Sequence, residues 1–425
     1  MDAEDSETAD VDSDARGRPD GRDGSEEPVR SDRGDGPDGP DRSGGRDGPD
    51  GPDRSIGRRR VLQTGLSLGA VGVLAYGGGR AYLDRNETGT ITYALARSEP
   101  GAEDLEPRTK EVPKQWHEAL RVAFEVQDRI RDAAIAPMVD AFVVPAGYDE
   151  AAASIAVSTT EEDIRETIGS FVESTPVDLQ VSLVEDIPPR PEPSDSPDPG
   201  APYTLSELDP DAVPGGVYCE AGDHGGTLTS ALYDAESGTP YFATSNHVFG
   251  AGGTKETEHR GEPLEVPADD GSHTVGQVDR GYPDADVVRV EPDDPFTPAP
   301  ALDTMGSAEV VGQYTKAGLA DLAARDEPLT KVGAMTGETT GQIRGVDGVT
   351  CYTGRVCKTG QLKWGDEGVL TDGDSGSVNF HVDEEADDGH LLVGGINNAR
   401  SWWPAADFAW GTAAHQLLDE HGLHF

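Results

Sequence analysis

The chain has 425 residues, with 34 Lys and Arg against 81 Asp and Glu, a formal balance of 34 − 81 = −47 that includes only 7 lysines. So large an acidic excess repels nucleic acid and excludes it as a natural partner. A hydrophobic content of 35% is too high for a wholly disordered acidic polymer, and the length leaves room for two or three domains.

Residues 1–56 are built from Asp, Gly, Arg, Pro and Ser and repeat "DGPDGPDRS" at 35–43 and 47–55. They have almost nothing to bury and read as a disordered acidic tail. The stretch 57–80 begins with Arg58, Arg59 and Arg60 and continues as the apolar, Gly-rich run "VLQTGLSLGAVGVLAYGGG", 61–79. That is the layout of a charged n-region and an h-region, and it resembles a twin-arginine export signal. No clean cleavage site follows, so 61–79 can instead remain as a membrane anchor with its arginines inside. Either outcome places the bulk of the protein outside.

Residues 88–186 read as a small α/β domain. "TGTITYALA", "MVDAFVVPA", "ASIAVS" and "VDLQVSLVED" have strand character, and Trp116, Leu120, Phe124 and Ile130 mark one helix face. A second helix is expected in "TTEEDIRETIGSFVEST", capped by Thr159 or Thr160. The Pro-rich segment 187–205 reads as a semi-rigid linker and a boundary. From 206 to 425 the pattern changes to short strands broken by Gly, Pro and Asp, the look of an all-β barrel or sandwich. A single terminal helix is expected in 410–425.

Of the three cysteines, Cys351 and Cys357 stand six apart and can close a short loop or remain reduced, which leaves Cys219 over. No His or Cys pair lies near them at ligand spacing, so neither a metal nor another cofactor is expected.

Three stretches of the β region carry chemistry. "YFATSNHVFG" ends an apolar run at His247, "YPDADVVRV" places Asp284 and Asp286 before a β-branched strand, and "TDGDSGSVNF" holds Ser375 between Asp374 and Gly376. A serine hydroxyl needs an imidazole to take its proton, and the imidazole needs a carboxylate to fix its tautomer. In order, these stretches resemble the chymotrypsin/trypsin-like serine proteases. "LTKVGAMTGETTGQIRGVDG", with Lys331, Gly333, Thr336, Gly337, Thr340 and Gly341, is similar to a hairpin of the streptogrisin and alpha-lytic type.

The resemblance implies a double β-barrel, a serine endopeptidase acting on protein or peptide, and a triad of His247, Ser375 and an aspartate. Asp284 and Asp286 compete for the acid; strand alternation favours Asp284. Gly373 and Ser375 are expected to form the oxyanion hole, Val369 and Leu370 the base of the primary pocket, and Gly394 and Gly395 part of the substrate-pairing strand. An apolar pocket base implies cleavage after apolar or small residues. In such relatives a segment placed like 88–186 can act as an intramolecular inhibitor; the alternative is an independent spacer. The acidic, lysine-poor composition resembles that of proteins from extreme halophiles, whose surface repulsion is screened when the Debye length falls to about 3 Å at 1 M salt. Two other classes remain: an inactive protease fold that binds surface polymers, and a Ca²⁺-binding surface protein, for which "DGDSG" lacks the remaining ligand spacing.

Overall fold

The short alternating runs of the second half form two large sheets in the computed structural model, which describes residues 88–98, 104–135, 138–150, 152–184, 200–250, 254–306, 308–352, 356–383, 389–401 and 407–425. The acidic tail, the export-signal run and most of the linker lie outside these residues.

The first segment contains β1 (Thr88–Ala96), β2 (Glu106–Pro113), α1 (Lys114–Asp132), β3 (Met138–Val144), β4 (Ser154–Thr159), α2 (Ile164–Val172) and β5 (Asp178–Leu183). Helix α1 buries Trp116, Leu120, Ala123, Phe124, Gln127 and Ile130, the stripe that a 3.6-residue period lays along one face. Two buried N–H groups of this face find backbone partners: Trp116 Nε1 donates to the Ala146 carbonyl and Gln127 Nε2 to that of Ala141, both at 2.9 Å. Helix α2 begins later than its expected Thr159 or Thr160 cap. Thr159 belongs to β4, and its hydroxyl accepts the Glu161 N–H at 3.2 Å, a local turn that delays the helix.

The β region continues with β6 (Val213–Gly215), β7 (Tyr218–Ala221), β8 (His224–Thr227), β9 (Leu232–Asp234), β10 (Pro240–Ser245), β11 (Pro263–Ala268), β12 (Gly271–Tyr282), β13 (Val287–Pro292) and β14 (Pro298–Leu302). Then follow β15 (Val310–Tyr314), α3 (Lys316–Ala324), β16 (Leu329–Gly333), β17 (Gly337–Gly341), β18 (Ile343–Thr350), β19 (Lys358–Trp364), β20 (Val378–Val382), β21 (Leu391–Arg400), β22 (Ala409–Ala413), α4 (Ala414–His421) and β23 (Leu423–His424). The first sheet has eight strands in the order β23-β9-β10-β13-β12-β11-β7-β8. It surrounds an apolar core of Val217, Leu228, Phe242, Leu264, Val275 and Val290. The β-rich architecture expected from residue 206 onward is the observed one. The expected terminal helix is shorter, because residues 409–413 fill the gap between β21 and β19 as a strand.

The second sheet departs from the expected boundary. Its thirteen strands run β17-β16-β20-β21-β22-β19-β18-β3-β4-β5, with β1, β2 and β15 attached at the side. Strand β3 pairs antiparallel with β18 (Val143 opposite Val346, Ala141 opposite Val349), and β1 pairs with β15 (Ala94 opposite Tyr314). Trp116, Leu120, Ile130 and Ile155 share one core with Leu319, Val346, Leu362 and Trp364. Segment 88–184 is therefore not a free-standing α/β body. Sequence pattern identifies a strand but not its partner, and here the partners lie some two hundred residues away.

Candidate active site

Strand β10 ends at Ser245, and the chain turns through a short 3₁₀ segment, Asn246–Phe249, that carries His247. The ring bridges two side chains: Nδ1 lies 3.0 Å from Asp286 Oδ2 and Nε2 lies 2.9 Å from Ser375 Oγ. The backbone N–H of His247 also donates to Asp286 Oδ1 at 3.2 Å, which locks the imidazole and carboxylate together at both ends. These are the contacts by which a carboxylate fixes an imidazole and the imidazole activates a hydroxyl.

The carboxylate is Asp286, not Asp284. The alternation that favoured Asp284 does not apply, because residues 283–286 form a turn before β13 and Asp286 takes the left-handed conformation, φ 55°. That twist carries its side chain to His247. Asp284 instead faces α4, 3.4 Å from His421 Nε2, and hydrogen bonding to His421 holds its carboxyl below the usual range. Burial pushes the Asp286 carboxyl up, but the charges of His247 and Lys358 and their hydrogen bonds outweigh it, leaving the group well below the ordinary carboxylate range. Lys358 Nζ stands 3.1 Å from Asp286 Oδ2, the same oxygen that His247 uses. No sequence pattern pointed to it, since β19 and the 283–286 turn meet only through tertiary packing.

The serine loop is pinned from both sheets. Thr227, at the end of β8, donates its N–H to the Ser375 carbonyl at 2.8 Å and its hydroxyl to the Gly373 carbonyl at 2.9 Å; Thr229 bonds the Gly376 carbonyl at 2.7 Å. Gly373 has φ 94°, and a Cβ there would stand 2.5 Å from Met335 Cγ, so the position requires glycine. Among the described residues neither the Gly373 nor the Ser375 N–H is given to another backbone group. Asp374 is fully buried. Its carboxylate accepts the N–H groups of Thr371, Met335 and Thr336 at 3.0, 2.9 and 3.1 Å, the Thr336 hydroxyl at 2.7 Å and Lys331 Nζ at 3.3 Å. Lys331 comes from the β16–β17 hairpin, which forms as expected. Burial lowers its ammonium and Asp374 opposes that effect. Ser377 has its hydroxyl bonded by Asn397 Nδ2 at 3.2 Å.

Strand β21 supports the loop from behind. Gly394 and Gly395, expected in the substrate-pairing strand, lie mid-sheet beside Asn379 and Thr412, and the strand meets the serine loop further on. The residues that reach it are Asn397, whose carbonyl accepts the Gly376 N–H at 2.8 Å, and Asn398. The Asn398 carbonyl accepts the Ser375 hydroxyl at 3.1 Å, and its Nδ2 donates to the Asp286 carbonyl at 3.1 Å. Val369 and Leu370 are 6% and 2% exposed and pack into the core that contains Ile343 and Trp364. Cys351 and Cys357 form a disulfide, and Cys219 is free and buried. Among the described residues no three His, Cys, Asp or Glu side chains converge as a metal site.

The chain matches no family profile and no curated protein sequence. Among solved structures, Thermobifida fusca protease A is similar to it at 18% identity and a TM-score of 0.35, over 50% of this chain and 97% of that one. A glutamic acid-specific serine protease that uses a histidine triad in substrate binding is similar at 18% and 0.37, over 50% and 99%. The chymotrypsin of Cellulomonas bogoriensis is similar at 15% and 0.35, over 50% and 98%. All three are serine proteases. Likeness at these identities and scores carries no residue role across to this chain.

Proposed function

We propose that residues 206–425 form a serine endopeptidase in which His247, Asp286 and Ser375 are the catalytic residues. One observation carries the reading: a single imidazole within hydrogen-bond reach of a buried carboxylate and a serine hydroxyl. Asp286 keeps the ring proton on Nδ1, so Nε2 accepts the Ser375 proton as Oγ attacks the carbonyl carbon of the scissile bond. The resulting oxyanion is held by the N–H groups of Gly373 and Ser375, and the five donors to Asp374 keep those groups aligned before substrate arrives. Collapse passes the proton from Nε2 to the leaving amine. Water, deprotonated by the same nitrogen, then releases the acyl group from Oγ.

Labelling by a fluorophosphonate probe tests this directly. Expected is stoichiometric labelling of the wild-type chain that disappears in Ser375→Ala. An unlabelled wild type would favour the inactive binding fold. The resemblance that puts Val369 and Leu370 at the base of the primary pocket supports cleavage after apolar or small residues; a fluorogenic panel in which only Arg and Lys substrates turn over would exclude it.

The shared sheet supports a permanent structural role for residues 88–184, in place of either a detachable inhibitor or an independent spacer. Expressed alone, 200–425 lacks the partners of β18 and β15 and is expected to fold only when 88–184 is supplied in trans; unaided refolding to full activity would refute this. The Arg58–Arg59 run supports export, and replacing both arginines by lysine is expected to retain the protein inside the cell. The acidic composition supports function at high salt, checked by activity between 0.2 and about 3 M salt, over which screening tightens several-fold.

A further inference from the structure

We propose that Lys358 is a positioning residue of the site, holding the Asp286 carboxylate in place and opposing its charge so that activity extends to lower pH. The inference rests on the triad reading above and adds a fourth residue to it. Lys358 opens β19, in the second sheet, while Asp286 sits on a turn of the first. Three contacts join them: Lys358 Nζ to Asp286 Oδ2 at 3.1 Å, Lys358 Nζ to the Pro283 carbonyl at 3.4 Å, and the Thr359 N–H to the Asp284 carbonyl at 3.2 Å. The turn that bears the carboxylate is thus tied to β19 at three successive points. Lys358 is also fixed from its own side, because it pairs opposite Thr350 and follows the Cys351–Cys357 bridge that closes the hairpin.

The chemistry follows from sharing one oxygen. His247 Nδ1 and Lys358 Nζ lie 3.0 and 3.1 Å from Asp286 Oδ2. When the ring takes up the serine proton it becomes a cation beside that carboxylate, and a second cation on the same oxygen weakens the attraction. The protonated ring is then held less tightly to Asp286 and passes its proton on more readily than it would without Lys358. The ammonium is 16% exposed on its side chain and the carboxylate 9%, so solvent screens the pair only in part. The other groups around the ring are accounted for. Ser375 and the Asn398 carbonyl lie on the Nε2 side, Asn246 precedes the ring on its own turn, and Asp284 is engaged with His421. No other ion pair among the described residues reaches His247 or Asp286.

The test compares kcat/KM from pH 4 to 9 for the full-length wild type, Lys358→Met and Lys358→Arg, with a fluorogenic peptide at fixed high salt. In Lys358→Met the acidic limb is expected to move up by roughly half to one pH unit, with a several-fold loss at pH 5 that exceeds the loss at pH 8. Lys358→Arg is expected to restore the limb. A role in stability alone would lower activity equally at every pH, and coincident limbs for wild type and Lys358→Met would overturn the proposal. Fluorophosphonate labelling at pH 8 separates the two readings, since a labelled Lys358→Met chain with an unshifted limb leaves the protease reading intact and removes only the role of Lys358. If Lys358→Met does not fold by circular dichroism, Lys358→Gln, which keeps a donor for the Pro283 carbonyl, is judged by the same criterion.

Discussion

Replacing Lys331 by methionine removes a cation that is completely buried against a completely buried carboxylate. Breaking one side of a buried ion pair costs about 3–5 kcal/mol, because the remaining charge is left without its partner. Asp374 retains four other donors, from Thr371, Met335 and the backbone and hydroxyl of Thr336, which places the expected loss near the lower end, about 3 kcal/mol. For a chain of this size that is a fall in Tm of about 4 °C. The effect on catalysis is larger than this number suggests. Asp374 lies between the two proposed oxyanion donors, and a carboxylate that swings toward water takes the Gly373 and Ser375 N–H groups with it. Losing one such donor lowers kcat by about 10²–10³. The assay is kcat on an ester substrate at pH 8 with a parallel thermal melt. A Lys331→Met and Asp374→Asn double variant is expected to be more stable than the sum of the single changes by more than about 1 kcal/mol. Retention of kcat within threefold and of Tm within a degree in Lys331→Met would refute the view that this pair holds the loop.

Asp286→Asn is expected to lower kcat by about 10⁴ through the wrong imidazole tautomer, whereas Asp284→Asn changes it less than about tenfold; steady-state kinetics of the two decides the assignment. Asp286 is depressed in the folded state, so its contribution to stability is complete above the unfolded value near pH 4 and is lost as pH falls below it. Denaturant titrations from pH 6 to 2.5 are expected to show a shallower acid-side fall in Asp286→Asn than in wild type. Burial pushes the Cys219 thiol up to about 12, so iodoacetamide at pH 8 is expected to leave the native protein unmodified. Mass spectrometry is expected to find one alkylated cysteine after unfolding without reductant and three after reduction.

What the sequence determined by itself was chemistry set by adjacent residues. Gly373, Asp374 and Ser375 need one another within a single turn, the 329–341 hairpin repeats glycine and threonine at turn positions, and His247 ends an apolar strand. Each of these was legible because its constraint lies within a few residues. The spacing of Trp116, Leu120, Phe124 and Ile130 likewise defined a helix face without reference to what covers it. Tertiary structure alone decided the rest. Asp286 displaced Asp284 because one left-handed residue breaks the alternation on which strand phase depends. Asn397 and Asn398 meet the serine loop because the pairing of β21 with its neighbours fixes which part of that strand lies beside it. Lys358 entered the site, and residues 88–184 entered the second sheet, through contacts between segments far apart in the chain. Backbone hydrogen bonds and ion pairs depend on distance in space, and a strand or a lysine shows in its own sequence only that it can make them, not with which partner.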